Sequence, residues 1–144
     1  MTVIQFPRRA DLARRLPDHG ELVHAIRSKY AERRACLQAI AEPAPDDPVF
    51  KAIERFLRAD FQLSILATSE PNLRDRAAHT AWKKQIRPLA DACDAATHAL
   101  FNTVPKTRIG AKTLIKFILE NGDPDDDDLV ALLETIASAM INLH

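Results

Sequence analysis

Glycine, cysteine and two of the aromatic residues are scarce in this sequence. Of its 144 residues, only three are Gly and two are Cys, and Trp and Tyr occur once each. Few glycines disfavour the tight turns that join β-strands. Two cysteines are too few for the disulfide framework of a small secreted domain. The scarcity of both residues therefore favours a helical chain in a reducing compartment.

Net charge and long hydrophobic runs are also missing. The 20 basic and 20 acidic side chains cancel, so the strong basicity typical of nucleic-acid binders is absent. No apolar run reaches the ~18 residues of a membrane helix. Residues 1–7 lack the basic-then-apolar pattern of a signal peptide. We expect a cytoplasmic protein that makes no contact with membranes.

Apolar residues recur at helical spacing between segments that contain proline or aspartate. The pattern predicts helices over 19–42 and 46–69, and a helical stretch over 72–103 that Pro88 kinks or breaks. A further helix runs from the N-cap Thr107 to Asn121, and Asp123 and Pro124 open the last one. We predict an all-α bundle of five to six helices built on a long antiparallel hairpin of the first two. Residues 1–17 form an N-terminal arm, and residues 18–144 form a single helical domain.

Acidic residues are concentrated near the C-terminus, where residues 121–144 carry six acidic and no basic side chains. The run 123–128 together with Glu134 resembles the ligand spacing of a calcium-binding loop, but Asp128 stands where that loop needs glycine. Glu21 and His24 form a Glu-x-x-His pair of the kind used in di-iron bundles, yet a second pair is missing. We therefore interpret the acidic run as a helix cap and predict no metal or other cofactor.

No other pattern predicts catalysis. Gly110, Lys112 and Thr113 resemble the end of a phosphate-binding loop, but an alanine separates the glycine from the lysine and no strand precedes it. Cys36 and Cys93 lie in no local signature of a nucleophile and are interpreted as structural. We expect a chain that is not an enzyme.

A stripe with heptad-like spacing runs along the last predicted helix and favours helix–helix association. With the Phe-rich face of residues 49–66, it predicts a non-catalytic protein–protein interaction module that binds a second copy of itself, as a homo-oligomer, or another protein. The candidate interface residues are Leu129, Leu132, Leu133, Ile136 and Met140.

The alternative is a small regulatory protein that binds nucleic acid. Basic side chains beside an aromatic ring can contact phosphate while the ring stacks on a base. Two clusters fit this chemistry, one in the arm and one around the single tryptophan: Arg8, Arg9, Arg14 and Arg15, and Trp82, Lys83, Lys84 and Arg87.

Residues 99–111 (ALFNTVPKTRIGA), with the apolar helix and acidic segment that follow, resemble a group of short helical hypothetical proteins from alphaproteobacteria. The opening residues 3–8 (VIQFPR) are similar to N-termini common in that class. The resemblance covers residues 89–143 and the first eight, although the order of Gly110 and Ala111 is the reverse of the group's. It implies a helical fold and a bacterial origin, and no activity.

Overall fold

The computed structural model describes residues 18–121, 127–141 and 143, and every regular element in this part of the chain is an α-helix. The five helices are α1 (His19–Ala41), α2 (Pro48–Ala67), α3 (Arg76–Phe101), α4 (Arg108–Asn121) and α5 (Asp127–Ile141). The predicted all-α class is confirmed. The arm 1–17, with Arg8, Arg9, Arg14 and Arg15, and the start of the last helix at Asp123 and Pro124 lie outside the described residues.

Helices α1 and α2 form the predicted antiparallel hairpin. His19, at the start of α1, lies 3.1 Å from the carbonyl oxygen of Thr68, just beyond the end of α2. Nearer the middle, the rings of Tyr30 and Phe61 stack with centroids 4.4 Å apart. No helix in the described part of the chain is long and apolar enough to cross a membrane.

Arg33 interrupts the apolar stripe of α1 and joins three helices. Its guanidinium lies 3.4 Å from the Asp60 carboxylate on α2 and 3.3 Å from the side-chain oxygen of Asn121 on α4. It also lies over the ring of Phe117. The polar position in the predicted stripe is therefore a contact point between the hairpin and α4.

Helix α3 runs along α2 and continues through Pro88 without a break. Proline has no backbone N–H and leaves the carbonyl oxygen one turn earlier without its helical donor. On the exposed side of a helix this loss is tolerated, because water can donate a hydrogen bond to that oxygen. Pro88 is exposed. The predicted helical stretch is therefore one helix, shorter than expected by four residues at its start and two at its end.

The core lies between α2 and the helices around it. Its most deeply buried large side chains include Ile53 of α2, Leu100 of α3 and Leu114 and Ile118 of α4. Phe56 of α2 meets Phe117 of α4 edge to face, with ring centroids 5.2 Å apart. Helix α5 adds Leu129 and Ile136 to the same cluster.

A single buried carboxylate caps the starts of two helices. Asp47 is only 2% exposed, and its Oδ1 accepts the backbone N–H of Val49 as the N-cap of α2. Its Oδ2 accepts the backbone N–H groups of Lys106 and Thr107, at 3.1 and 2.8 Å, and the Thr107 hydroxyl. The hydroxyl oxygen of Thr107 in turn accepts a hydrogen bond from the N–H of Gly110. The Asp47 carboxylate thus connects the beginnings of α2 and α4.

We expect Asp47→Ala to lower the free energy of unfolding by about 3 kcal/mol. The substitution removes an N-cap, worth about 1 kcal/mol, and leaves buried donors without an acceptor. Chemical denaturation measures the change. The matched control is Asp46→Ala, since Asp46 is the same residue type one position earlier and is exposed. Equal effects of the two substitutions would contradict the assignment.

Gly110 provides the space that this carboxylate occupies. A Cβ atom at Gly110 would lie 2.1 Å from Asp47 Oδ2, far inside contact distance. Gly110→Ala should therefore cost about 1–3 kcal/mol of stability. Gly20→Ala, whose Cβ would lie 3.4 Å from Asp18 Oδ1, should not destabilise the protein, because alanine is favoured over glycine in a helix.

The two sites should also be coupled. In the Asp47→Ala background most of the clash disappears, so Gly110→Ala should cost less there than in the parent chain. A double-mutant cycle by urea denaturation measures this coupling. Strictly additive effects would show that Gly110 matters for another reason.

Candidate interaction surface

The stripe predicted as an interface packs inside its own chain. Leu129 and Ile136 are buried, and Leu132, Leu133 and Met140 are half-buried against the same core cluster. A heptad stripe indicates that one face of a helix is covered, but not which chain covers it. The exposed surface of α5 is therefore on its other side.

Helices α4 and α5 form an antiparallel pair. The Arg108 side chain at the start of α4 donates from Nε to the carbonyl oxygen of Leu143, two residues beyond the end of α5, at 3.1 Å. With 14 and 15 residues, the two helices are nearly equal in length, about 21–23 Å. The last turn of α4 and the first turn of α5 therefore share one end of the pair.

Large apolar side chains are exposed on this pair more than elsewhere. Seven large hydrophobic residues are exposed in the described part of the chain, and four of them lie on α4 and α5: Ile109, Leu119, Val130 and Ile141. Leu119 and Ile141 keep 64% and 83% of their surface in contact with solvent. Since the remaining three are spread over α1 and two loops, the α4–α5 pair carries the main exposed apolar surface.

The second candidate surface is the basic stretch at the start of α3. Lys83, Lys84 and Arg87 are exposed, and none of them has an acidic partner within 4.0 Å among the described residues. Two carboxylates, Asp91 and Asp94, follow at exposed positions of the same helix. The positive surface is thus limited to the first half of α3.

Trp82 has a role in packing. Its indole N–H donates to the carbonyl oxygen of Leu66 at 3.0 Å, and its ring contacts His79, which lies 3.4 Å from Glu70. These contacts fasten α3 to the end of α2. A tryptophan held in this way presents only part of its ring to solvent.

The described residues contain no group of three or more His, Cys, Asp or Glu side chains placed to hold a metal ion. Glu21 and His24 are both exposed on α1, and the acidic residues 123–126 lie outside the described part of the chain. The predicted absence of a metal site stays a prediction.

A small groove opens between α1, α2 and α4. It has a volume of about 120 Å³ and is lined by apolar side chains of the core, with Arg33, Cys36 and Lys116 among its polar residues. Pockets for small organic ligands usually enclose about 300–1,000 Å³. The Arg33 guanidinium is already engaged by Asp60 and Asn121. The other polar side chains that line the groove include Lys116 and Glu120, which pair with each other, so little polar chemistry is left for a ligand.

The two cysteines are free thiols in different environments. Cys36 is exposed and Cys93 is half-buried. Burial raises the pKa of the Cys93 thiol above its ordinary value, and the carboxylates of Asp60 and Asp94 raise it further because they disfavour a thiolate. The interpretation of Cys93 as a structural cysteine fits this environment, since the thiolate is the reactive form.

Comparison with protein-family models, with curated proteins and with solved structures finds no match to this chain. The resemblance of residues 89–143 to alphaproteobacterial helical proteins therefore stays a prediction.

We expect iodoacetamide to modify Cys36 well before Cys93 at neutral pH. A raised pKa leaves less thiolate at any given pH, and the folded chain shields Cys93 as well. Peptide mass spectrometry during a labelling time course measures the two rates, and a sample unfolded in urea is the control in which they should converge. Equal rates in the folded protein would contradict the described environment of Cys93.

Proposed function

We propose that this chain is a non-catalytic helical protein–protein interaction module that acts as a homo-oligomer. The exposed apolar surface of the α4–α5 pair is the observation that carries the proposal. Solvent-exposed apolar groups gain about 25 cal/mol for each Å² that a partner covers, and exposed apolar patches commonly mark interaction sites. We place the module in a bacterial cytoplasm, where two free thiols are compatible with a reducing environment.

Protein binding accounts for the surfaces better than nucleic-acid binding does. A nucleic acid would be drawn to Lys83, Lys84 and Arg87, but Asp91 and Asp94 continue along the same helix and repel phosphate. Trp82 is held by its hydrogen bond to Leu66. The exposed apolar side chains of α4 and α5, by contrast, have no use in binding a polyanion.

The proposal predicts that the purified protein assembles through the α4–α5 pair. Native mass spectrometry of the wild-type protein should give a multiple of 16.1 kDa. The double substitution Val130→Ser and Ile141→Ser should weaken the assembly at least about tenfold, since it removes apolar area worth more than 1.4 kcal/mol. Its effect on the stability of the monomer should be small because both side chains are exposed.

The matched control is Leu73→Ser, which removes a side chain that is 74% exposed in the loop between α2 and α3. This variant should assemble like the wild-type protein. A wild-type protein that stays monomeric at every concentration, or that purifies with bound nucleic acid, would contradict the proposal.

A further inference from the structure

The outer face of α5 carries its own row of residues, opposite the row that packs in the core. The steps along it are three, four, three and four residues, which is the spacing of a helix seam that faces a second helix. All of its members are exposed: Asp127, Val130, Glu134, Ala137 and Ile141. The row therefore alternates between acidic and apolar or small side chains.

The outer face of α4 carries a matching row of opposite charge. Ile109, Lys112, Lys116 and Leu119 follow one another at steps of three, four and three residues, and all are exposed. Lys116 makes one contact, with Glu120 of its own helix at 3.9 Å. Within the described residues, Lys112 has no acidic partner inside 4.0 Å. This row has apolar ends and a basic centre.

Because the two helices are antiparallel, residues of the two rows that are equally far from Arg108 and Leu143 lie at similar heights along the helix pair. Arg108 contacts the carbonyl oxygen of Leu143, which fixes the relative position of α4 and α5. Counting inward from this contact, with the same rise per residue in both helices, sets three levels. Ile109 and Lys116 come within one residue, about 1.5 Å, of the heights of Ile141 and Glu134, and Leu119 comes within two residues, about 3 Å, of the height of Val130.

We propose that the partner of this surface is a second copy of the chain, placed by a two-fold axis that runs parallel to α4 and α5. Such an axis keeps every residue at its height and lays α4 of one copy on α5 of the other. The result is an antiparallel four-helix bundle across the dimer. Lys116 meets the partner's Glu134 at its centre, with Leu119 against the partner's Val130 on one side and Ile109 against the partner's Ile141 on the other.

Charge complementarity singles out a second copy among possible partners. Each copy supplies a basic row and an acidic row, and the two-fold operation brings Lys116 of each copy to the partner's Glu134, whereas Lys112 and Asp127 lie at different heights and form no such pair. A nucleic acid would be attracted by Lys112 and Lys116 but repelled by Asp127 and Glu134 on the neighbouring helix. An isologous contact also uses the same patch twice and therefore closes after two copies.

The size of the surface sets the expected strength of the dimer. Two helices of about 21 Å, each about 10 Å wide, cover a footprint of roughly 400 Å². A typical stable interface buries about 800 Å² per partner. The dimer should therefore dissociate measurably on dilution. The contact between Lys116 and the partner's Glu134 occurs twice in the dimer and should influence the dissociation constant.

A charge exchange tests the arrangement, which rests on the proposed function because it requires self-association. Lys116→Glu and Glu134→Lys should each raise the dimer dissociation constant about tenfold or more, since each change places like charges in contact at two symmetric positions. The combination of both substitutions in one chain should restore the wild-type constant to within about threefold. Sedimentation equilibrium at low salt measures all four proteins, with circular dichroism melting as the check on folding.

The matched control is Lys84→Glu, the same change at an exposed lysine of α3, which should leave the constant unchanged. If the single variants dimerise like the wild-type protein, the proposed pairing is overturned while the interaction function stands. If the single variants dissociate and the combination does not restore the dimer, the pairing is also overturned. A wild-type chain that is monomeric throughout overturns both the pairing and the proposed self-association.

Discussion

The arrangement of the described helices depends on one buried carboxylate. Asp47 accepts four hydrogen bonds, one from the start of α2 and three from the residues that open α4, some 60 positions later in the chain. Buried charge is costly unless it is fully hydrogen-bonded, and here backbone donors of two helix starts, where the helix dipoles favour negative charge, satisfy it. The bonds hold α4 on the α1–α2 hairpin, and the close approach leaves room for only a hydrogen atom on Gly110.

That position of α4 determines how its surface is divided. With its start held at Asp47, the inner side of α4 buries Leu114 and Ile118 and brings Phe117 against Phe56. Arg33 of α1 then reaches the far end of the helix at Asn121. Both ends of α4, the side that faces the hairpin and the side that faces α5 are thereby occupied within the chain. Its remaining side, with the outer side of α5, faces solvent.

The local elements could be predicted from the sequence, and their partners could not. Asp47 with Pro48, and Thr107, are each local signals of a helix start, and the predicted boundaries of the hairpin and of α4 lie close to those observed. That one carboxylate serves both starts depends on a contact across 60 residues, which no local pattern reports. The stripe from Leu129 to Met140 shows the same limit, because its spacing indicates a covered face and the covering residues belong to distant helices. The hydrogen bond from the indole N–H of Trp82 to the carbonyl oxygen of Leu66 also joins two helices, and no local pattern around Trp82 predicts it.

The two sides of α5 differ in composition in the way that the proposed dimer requires. Its inner row is almost purely apolar, as expected for contacts that form once and stay buried. Its outer row interleaves Val130 and Ile141 with Asp127 and Glu134, a composition that remains soluble when the chain is alone and is complementary to the lysines of α4. An outer row as apolar as the inner one would promote unspecific aggregation, whereas the acidic residues of this row disfavour contact with a surface of like charge. In the proposed dimer, charge therefore sets the choice of partner, and the apolar residues between the charges supply the affinity.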